Sequence, residues 1–158
     1  MLRFFVLATL LGSTNAATST ASDDGELVTV QSPIEVSLAP GESKDLEIRV
    51  TVAEGFHVQA NPAANEFLIP LELELESDEE LDIGEVRYPP AETYRLKGTE
   101  EDLLTYDGTF AVSVSIGAPD SAASGTQNVR GRLHYQACDD RSCRRPATLA
   151  FELTAHIN

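Results

Sequence analysis

The sequence predicts an all-β fold, an immunoglobulin-like antiparallel β-sandwich built as a single domain, on three observations. Apolar and polar residues alternate over most of the chain, which is the pattern of strands with one buried and one solvated face. The breaks between these runs carry turn residues, as in APGES, NPAAN and YPPAE. Only GTEEDLL allows even one helical turn. Seven to nine short strands separated by turns are typical of such a sandwich.

Five runs alternate most clearly, and each predicts one strand. In the second of them, FLIPLELELE, Phe67 and Ile69 are expected on the same buried face as Leu71 and Leu73. The predicted strands cover residues 46–52, 67–75, 110–116, 129–137 and 149–157. The tryptophan that marks the core of many immunoglobulin domains is absent, because the chain has none.

The first residues have the layout of a secretory signal peptide. Arg3 precedes a short apolar run that ends at Leu11, and small residues follow it. The run is shorter than the ~20 residues that span a bilayer, although a retained membrane anchor is the alternative interpretation. We therefore expect a signal peptide over 1–16, a flexible leader over 17–26 and one domain over 27–158, in a periplasmic or secreted protein.

Charge and compartment narrow the possible partners. The 158 residues carry a net charge of −15, which repels nucleic acid and anionic membranes. Exported proteins live where disulfides persist, so the two cysteines of the chain can be oxidised. No phosphate-binding loop or Ser/His/Asp signature is recognisable, and carboxylate-rich stretches such as ESDEELD are interpreted as solvated turns.

The stretch YQACDDRSCRRP holds both cysteines, Cys138 and Cys143, with four residues between them. They are expected to flank a hairpin loop near its tip, with Cys138 in register with the solvated face of its strand. Three interpretations stay open. A structural disulfide closing so small a loop would contribute only about 2 kcal/mol by loop-closure entropy. A metal site would need further ligands, and His57, His134 and His156 are the only histidines. A redox-active disulfide fits the accessible position, because exposed disulfides are the labile ones.

Charges around the two cysteines differ. Asp139 and Asp140 follow Cys138 and disfavour a thiolate there, whereas the arginines beside Cys143 favour one. If one cysteine is the nucleophile, this asymmetry indicates Cys143.

The cysteine motif resembles that of the N-terminal periplasmic domain of DsbD, the thiol:disulfide interchange protein. The matching positions are Tyr135, Gln136, Cys138, Cys143 and Pro146. Two further blocks, EGFHVQANPAANEFLIPLELEL and YPPAETYRLKG…LLTYDGTF, resemble other segments of that family and lie in the family's order. Together the three blocks cover about 50–157.

The resemblance implies an immunoglobulin-like fold and an electron relay without a cofactor or a metal. It implies that Cys143 forms the mixed disulfide with a partner and that Cys138 resolves it. It also implies a cap loop near 88–97 over the cysteines, with Glu92 and Tyr94 as its acidic and aromatic residues. The expected partners are thioredoxin-fold or other disulfide proteins.

Two departures from the family qualify these expectations. This chain has one residue fewer between its cysteines than the proteobacterial form. It also ends at Asn158, without the membrane and thioredoxin domains that follow in DsbD, so a separate membrane electron donor is expected. The leading hypothesis is a thiol–disulfide exchange module with protein-disulfide reductase-type activity. The alternative is a non-catalytic secreted binding module with a structural disulfide.

Overall fold

The computed structural model describes residues 26–77, 81–96, 98 and 100–158, and every regular element among them is a strand. The predicted signal peptide, 1–16, and almost all of the leader, 17–26, lie outside the described residues. Within the described part of the chain, no helix is present that could cross a bilayer. The strands are β1 (Val28–Gln31), β2 (Glu35–Leu38), β3 (Ser43–Val52), β4 (His57–Gln59), β5 (Glu72–Ser77), β6 (Asp82–Arg87), β7 (Glu92–Arg95), β8 (Asp102–Tyr106), β9 (Thr109–Gly117), β10 (Gly125–Tyr135), β11 (Ala137–Cys138) and β12 (Ala147–Ile157).

These strands form three four-stranded sheets. The first has the order β1-β3-β9-β6, the second β2-β12-β10-β5 and the third β11-β4-β8-β7. Every pair is antiparallel except β2 with β12, which run parallel. The third sheet is built from short strands and carries the cysteine strand at one edge.

The residues that alternate in the sequence lie on opposite faces of each sheet. Alternate residues of β3 and β9 in the first sheet, and of β10 and β12 in the second, are buried in one apolar core. The fully buried members include Ile48, Val50, Val112, Val114, Val129 and Leu133. The prediction of an immunoglobulin-like β-sandwich is confirmed, with aliphatic side chains filling the core in place of tryptophan.

The prediction for the FLIPLELELE run is wrong at its start. The strand begins at Glu72, and the Phe67 side chain, predicted to be buried, is 87% exposed. Asn65 explains the difference in part, because its side-chain oxygen accepts a hydrogen bond from the Phe67 N–H at 3.0 Å and forms a turn. Pro70 follows and has no N–H to give to a ladder. Alternation alone could not detect this local competition.

The helical turn allowed for GTEEDLL is also wrong. Asp102–Tyr106 is strand β8, paired on one side with β4 and on the other with β7. Neighbouring strands on both sides satisfy the backbone groups that a helical turn would have satisfied internally.

A close approach between Gly131 and Phe151 fixes the middle of the longest ladder. The two residues face each other across β10 and β12, and a Cβ built on Gly131 would lie 2.2 Å from Phe151 Cζ. The ring therefore covers the glycine, and position 131 has no room for a side chain.

We expect Gly131→Ala to lower the free energy of unfolding by about 1–3 kcal/mol, the usual cost of overpacking. Gly125→Ala is the matched control, because nothing lies within 4 Å of its Cβ position at the start of the same strand. Urea unfolding of both variants measures the difference. Equal midpoints for the two variants would show that Phe151 moves aside freely.

Candidate functional site

The site lies in the connection between the two longest strands. The β10–β12 ladder ends at the pair Tyr135↔Ala147, and residues 136–146 leave the second sheet. Ala137 and Cys138 then pair with Val58 and His57 of β4, at the edge of the third sheet. The connection therefore joins two sheets and holds both cysteines.

Cys138 and Cys143 form a disulfide. Their sulfurs are 2.00 Å apart and their Cα atoms 3.9 Å apart, and the two residues also form an isolated backbone bridge. The predicted proximity of the two cysteines is thus observed in the oxidised state.

The turn between the cysteines is held by the side chain of Asp139. Its Oδ1 atom accepts hydrogen bonds from the backbone N–H groups of Arg141 and Ser142, both at 2.8 Å. The Asp139 N–H donates to the Ser142 carbonyl at 2.9 Å and closes the turn. These hydrogen bonds, with the charge of Arg144 nearby, hold the pKa of Asp139 below its usual value. Its negative charge is therefore engaged within the turn.

The two sulfur-bearing residues differ in exposure. Cys138 is only 2% exposed, whereas Cys143 is exposed. The sequence-based expectation that both lie near the tip, with Cys138 on the solvated face, is wrong for Cys138. Gln136 separates β10 from β11, and the pairing of β11 with β4 of the third sheet buries Cys138 on the face that alternation alone predicts to be solvated. Of the two cysteines, only Cys143 is exposed to solvent.

The segment leaving Cys143 is fixed by Gln136 and Arg144. The Arg144 N–H donates to the Ala137 carbonyl at 2.8 Å, and the Gln136 side chain donates to the Arg144 carbonyl at the same distance. The Arg144 guanidinium lies over the Phe56 ring, 5.3 Å from its centre. Gln136, noted from sequence only as part of the motif, therefore holds the backbone beside the exposed cysteine.

A groove of about 620 Å³ runs beside Cys143. Tyr135 and Pro146, the other two motif positions, line it together with Leu27 and Leu149. Tyr135 is largely buried, and burial raises the pKa of its hydroxyl. The motif residues thus surround the exposed cysteine in space as they do in sequence.

The predicted cap residues lie on the same sheet face as Cys138. Residues directly opposite each other in paired strands share a face. Cys138 faces His57 across β4, and the Glu92↔Thr105 and Tyr94↔Leu103 pairs place both cap residues on β7 at the other edge of the sheet. The Tyr94 ring packs against the His57 ring, with centres 4.5 Å apart. The segment predicted as a cap loop therefore contains a strand, and Tyr94 contacts the neighbour of Cys138.

Two tyrosines attach the start of this segment to the sandwich. The Tyr106 hydroxyl donates to the Pro89 carbonyl at 3.0 Å, and the Tyr88 hydroxyl accepts from the Leu73 N–H at 3.0 Å. Burial raises the pKa of both hydroxyl groups. The position of β7 relative to the cysteine strand is thereby fixed.

His57, by sequence only a possible metal ligand, lies beside Cys138 in the structure. Among the described residues, His57, Gln59 and Thr105 are the buried polar side chains, and all three occupy the face that Cys138 shares. Burial lowers the pKa of His57, and the charges of Asp107 and Asp139 oppose that shift. The GFHVQ block was the available signal, but alternation could not show that it pairs with the cysteine strand.

The histidines considered as further metal ligands lie apart. His134 faces Thr148 near one end of the β10–β12 ladder, and His156 faces Thr126 near the other. Over the described residues, no group of three or more His, Cys, Asp or Glu side chains is positioned to hold a metal ion.

A known family model matches most of the chain. The model of the family "Thiol:disulfide interchange protein DsbD, N-terminal" matches residues 24–155. The chain belongs to the DsbD N-terminal family. The resemblance carried by the cysteine motif and the two other blocks is thus confirmed over most of the chain.

A solved structure of the family shares the fold. The N-terminal periplasmic domain of ScsB from Proteus mirabilis superposes with a TM-score of 0.55 at 14% identity, over 84% of this chain and 48% of that chain. The Neisseria meningitidis DsbD N-terminal domain in the reduced form gives 0.48 at 15% identity, over 84% of this chain and 92% of that one. This chain therefore spans about half the length of the ScsB domain. A search of curated proteins found no match.

Proposed function

We propose that this DsbD N-terminal-family domain is a periplasmic thiol–disulfide exchange module that relays electrons through Cys138 and Cys143. The observation that carries the proposal is the disulfide itself, with Cys143 exposed and Cys138 buried. A disulfide with a purely structural role would add little stability here, because the ring is small and all backbone pairs of β10 with β12 form outside it.

The exchange requires two displacements. In one direction, a partner thiolate attacks the Cys143 sulfur, the Cys138–Cys143 bond breaks and Cys138 takes the electron pair. A second partner thiolate then attacks the mixed disulfide, which leaves the domain reduced and the partner oxidised. In the other direction, the reduced domain attacks a partner disulfide through Cys143, and Cys138 displaces the reduced partner. Cys143 meets the partner in both directions because it is the accessible sulfur.

The proposed partners are thioredoxin-fold or other disulfide proteins, with a separate membrane protein as electron donor. Family membership supports this class of partner, and the groove beside Cys143 offers apolar contact next to the reacting sulfur. The periplasmic setting is supported by the sequence of residues 1–16 and by the periplasmic ScsB relative.

A redox titration of the Cys138–Cys143 pair tests this function. We expect a reduction potential above about −300 mV, because structural disulfides in secreted proteins lie below that value and labile ones above it. The pair is equilibrated with thiol buffers of known potential, and its reduced fraction is read from mass after alkylation. A pair that stays oxidised below that potential would favour the alternative, a binding module with a structural disulfide.

We also propose that the segment around β7 limits access to Cys138, with Tyr94 as the shielding side chain and Glu92 beside it. Tyr94→Ala should speed the alkylation of Cys138 by iodoacetamide in the reduced protein severalfold, since it removes the ring that packs on His57 beside Cys138. Thr93→Ala is the matched control, because Thr93 is exposed on the same strand and its side chain points to the other face. Equal alkylation rates for the wild type and Tyr94→Ala would remove Tyr94 from this role.

A further inference from the structure

His57 and Cys138 form a buried pair. They are directly opposite each other in the β4–β11 pairing, so their side chains share a face and their Cβ atoms lie about 4.5–5.5 Å apart. His57 is 6% exposed and Cys138 is 2% exposed. A titratable imidazole is thus held beside the buried cysteine.

Burial creates a chemical difficulty for Cys138. A thiolate in apolar surroundings is disfavoured, so the thiol of the reduced protein holds its proton more tightly than a free cysteine does. Yet only the thiolate can displace a partner from Cys143. A nearby base would remove this barrier.

We propose that His57 is the general base that deprotonates Cys138 when the mixed disulfide at Cys143 is resolved. The inference rests on the exchange function proposed above and assigns the residue that drives its second displacement. The neutral imidazole takes the proton from the Cys138 thiol. The resulting thiolate attacks the Cys143 sulfur, the Cys138–Cys143 bond forms and the bond to the partner sulfur breaks. The partner leaves as a thiolate, and the imidazolium returns its proton to that thiolate through water.

The surroundings of His57 suit this role. Burial keeps its pKa below the ordinary value, so the ring is neutral and able to accept a proton near pH 7. The charged groups that act on it are Asp107, after β8, and Asp139, in the cysteine turn, and both stabilise the imidazolium once it forms. Tyr94 of β7 packs against the ring and holds its orientation.

A path for the proton is also present. A cavity of about 670 Å³ lies beside His57 and Tyr94, and its lining includes the carboxylates of Glu54, Asp107 and Asp140. A space with several polar groups can hold water. The imidazole therefore borders both the buried cysteine and a polar space from which protons can exchange.

The test follows the release of a coloured thiol. Reduced protein is mixed with 5,5′-dithiobis(2-nitrobenzoate) in a stopped-flow instrument. The first release reports attack by Cys143, and the second, a first-order step, reports resolution by Cys138. The variant is His57→Phe, which keeps an aromatic ring against Tyr94 but removes the base. His156→Phe is the matched control, because His156 is remote from the cysteines on β12.

We expect the second release to slow on the order of 100-fold in His57→Phe at pH 7, within the usual range for general-base catalysis. The pH profile gives a readout that packing alone would not change. In the wild type the rate should level off near pH 7, with a midpoint below about 6.5, the ordinary histidine value. In His57→Phe it should keep rising about tenfold per pH unit up to the pKa of Cys138.

The outcomes separate the two proposals. Failure of the wild type to release either equivalent would overturn the exchange function itself. A normal first release with an unchanged second release and profile in His57→Phe would overturn the role of His57 alone. Circular dichroism checks that the variant folds. If it does not, His57→Gln is measured instead, and an unshifted profile in that variant overturns the role equally.

Discussion

Cys138→Ala is expected to trap partner proteins as stable mixed disulfides, whereas Cys143→Ala traps few. The first variant keeps the exposed sulfur, which reacts, and lacks the buried sulfur that would release the partner. The second keeps only a buried sulfur that a partner cannot reach. Non-reducing electrophoresis of periplasmic extracts, with and without dithiothreitol, measures the difference, and mass spectrometry identifies what is trapped.

The expected trapped species include a thioredoxin-fold protein. The double variant Cys138→Ala, Cys143→Ala is the control for contacts that do not involve sulfur. Equal trapping by the two single variants would reverse the conclusion that exposure assigns the roles. Trapping by neither, combined with a disulfide that resists reduction, would leave the binding-module alternative as the better account.

Leu133→Ala is expected to cause the largest loss of stability, about 2–5 kcal/mol. Leu133 is fully buried on β10 and faces Leu73 on one side and Leu149 on the other. Its removal leaves a cavity between three strands, just before the connection that holds the cysteines. Urea unfolding with an unchanged slope would measure the loss as a change in midpoint.

His134→Ala is the matched control, because His134 is the next residue on the same strand and points to the outer face. Its ring contacts Thr148 and Glu74 in partly exposed positions. His134→Ala should therefore lower the free energy of unfolding much less than Leu133→Ala does. Similar losses for the two variants would mean that Leu133 does not anchor this end of the core.

The sandwich could be predicted from sequence because its signal is repeated in every strand. Period-two alternation in β3, β9, β10 and β12 reports directly which side chains enter the core. The signal failed where a local interaction competed with it, as at Phe67, where the Asn65 side chain forms a turn. It was also silent on the parallel pairing of β2 with β12, because one strand's pattern carries no direction.

The site was predictable in part. The motif identified Cys138 and Cys143, and the neighbouring charges pointed to Cys143 as the reactive residue, which agrees with its exposure. Burial of Cys138 could not be predicted, because it depends on pairing with β4, which lies some 80 residues earlier in the chain. The same long-range pairing brings His57 to the site, and no local pattern reports it.

The position of the disulfide outside the β10–β12 ladder has a consequence for engineering the loop. Register in a ladder tolerates no insertion, because a shift of one residue would move every side chain to the opposite face. The turn between the cysteines lies beyond the last ladder pair, Tyr135↔Ala147, so its length can change while that register stays fixed. Residues can therefore be added to or removed from 139–142 to change the size of the ring that the disulfide closes. Redox titration of a series of such loops would show how ring size alone sets the reduction potential on one unchanged scaffold.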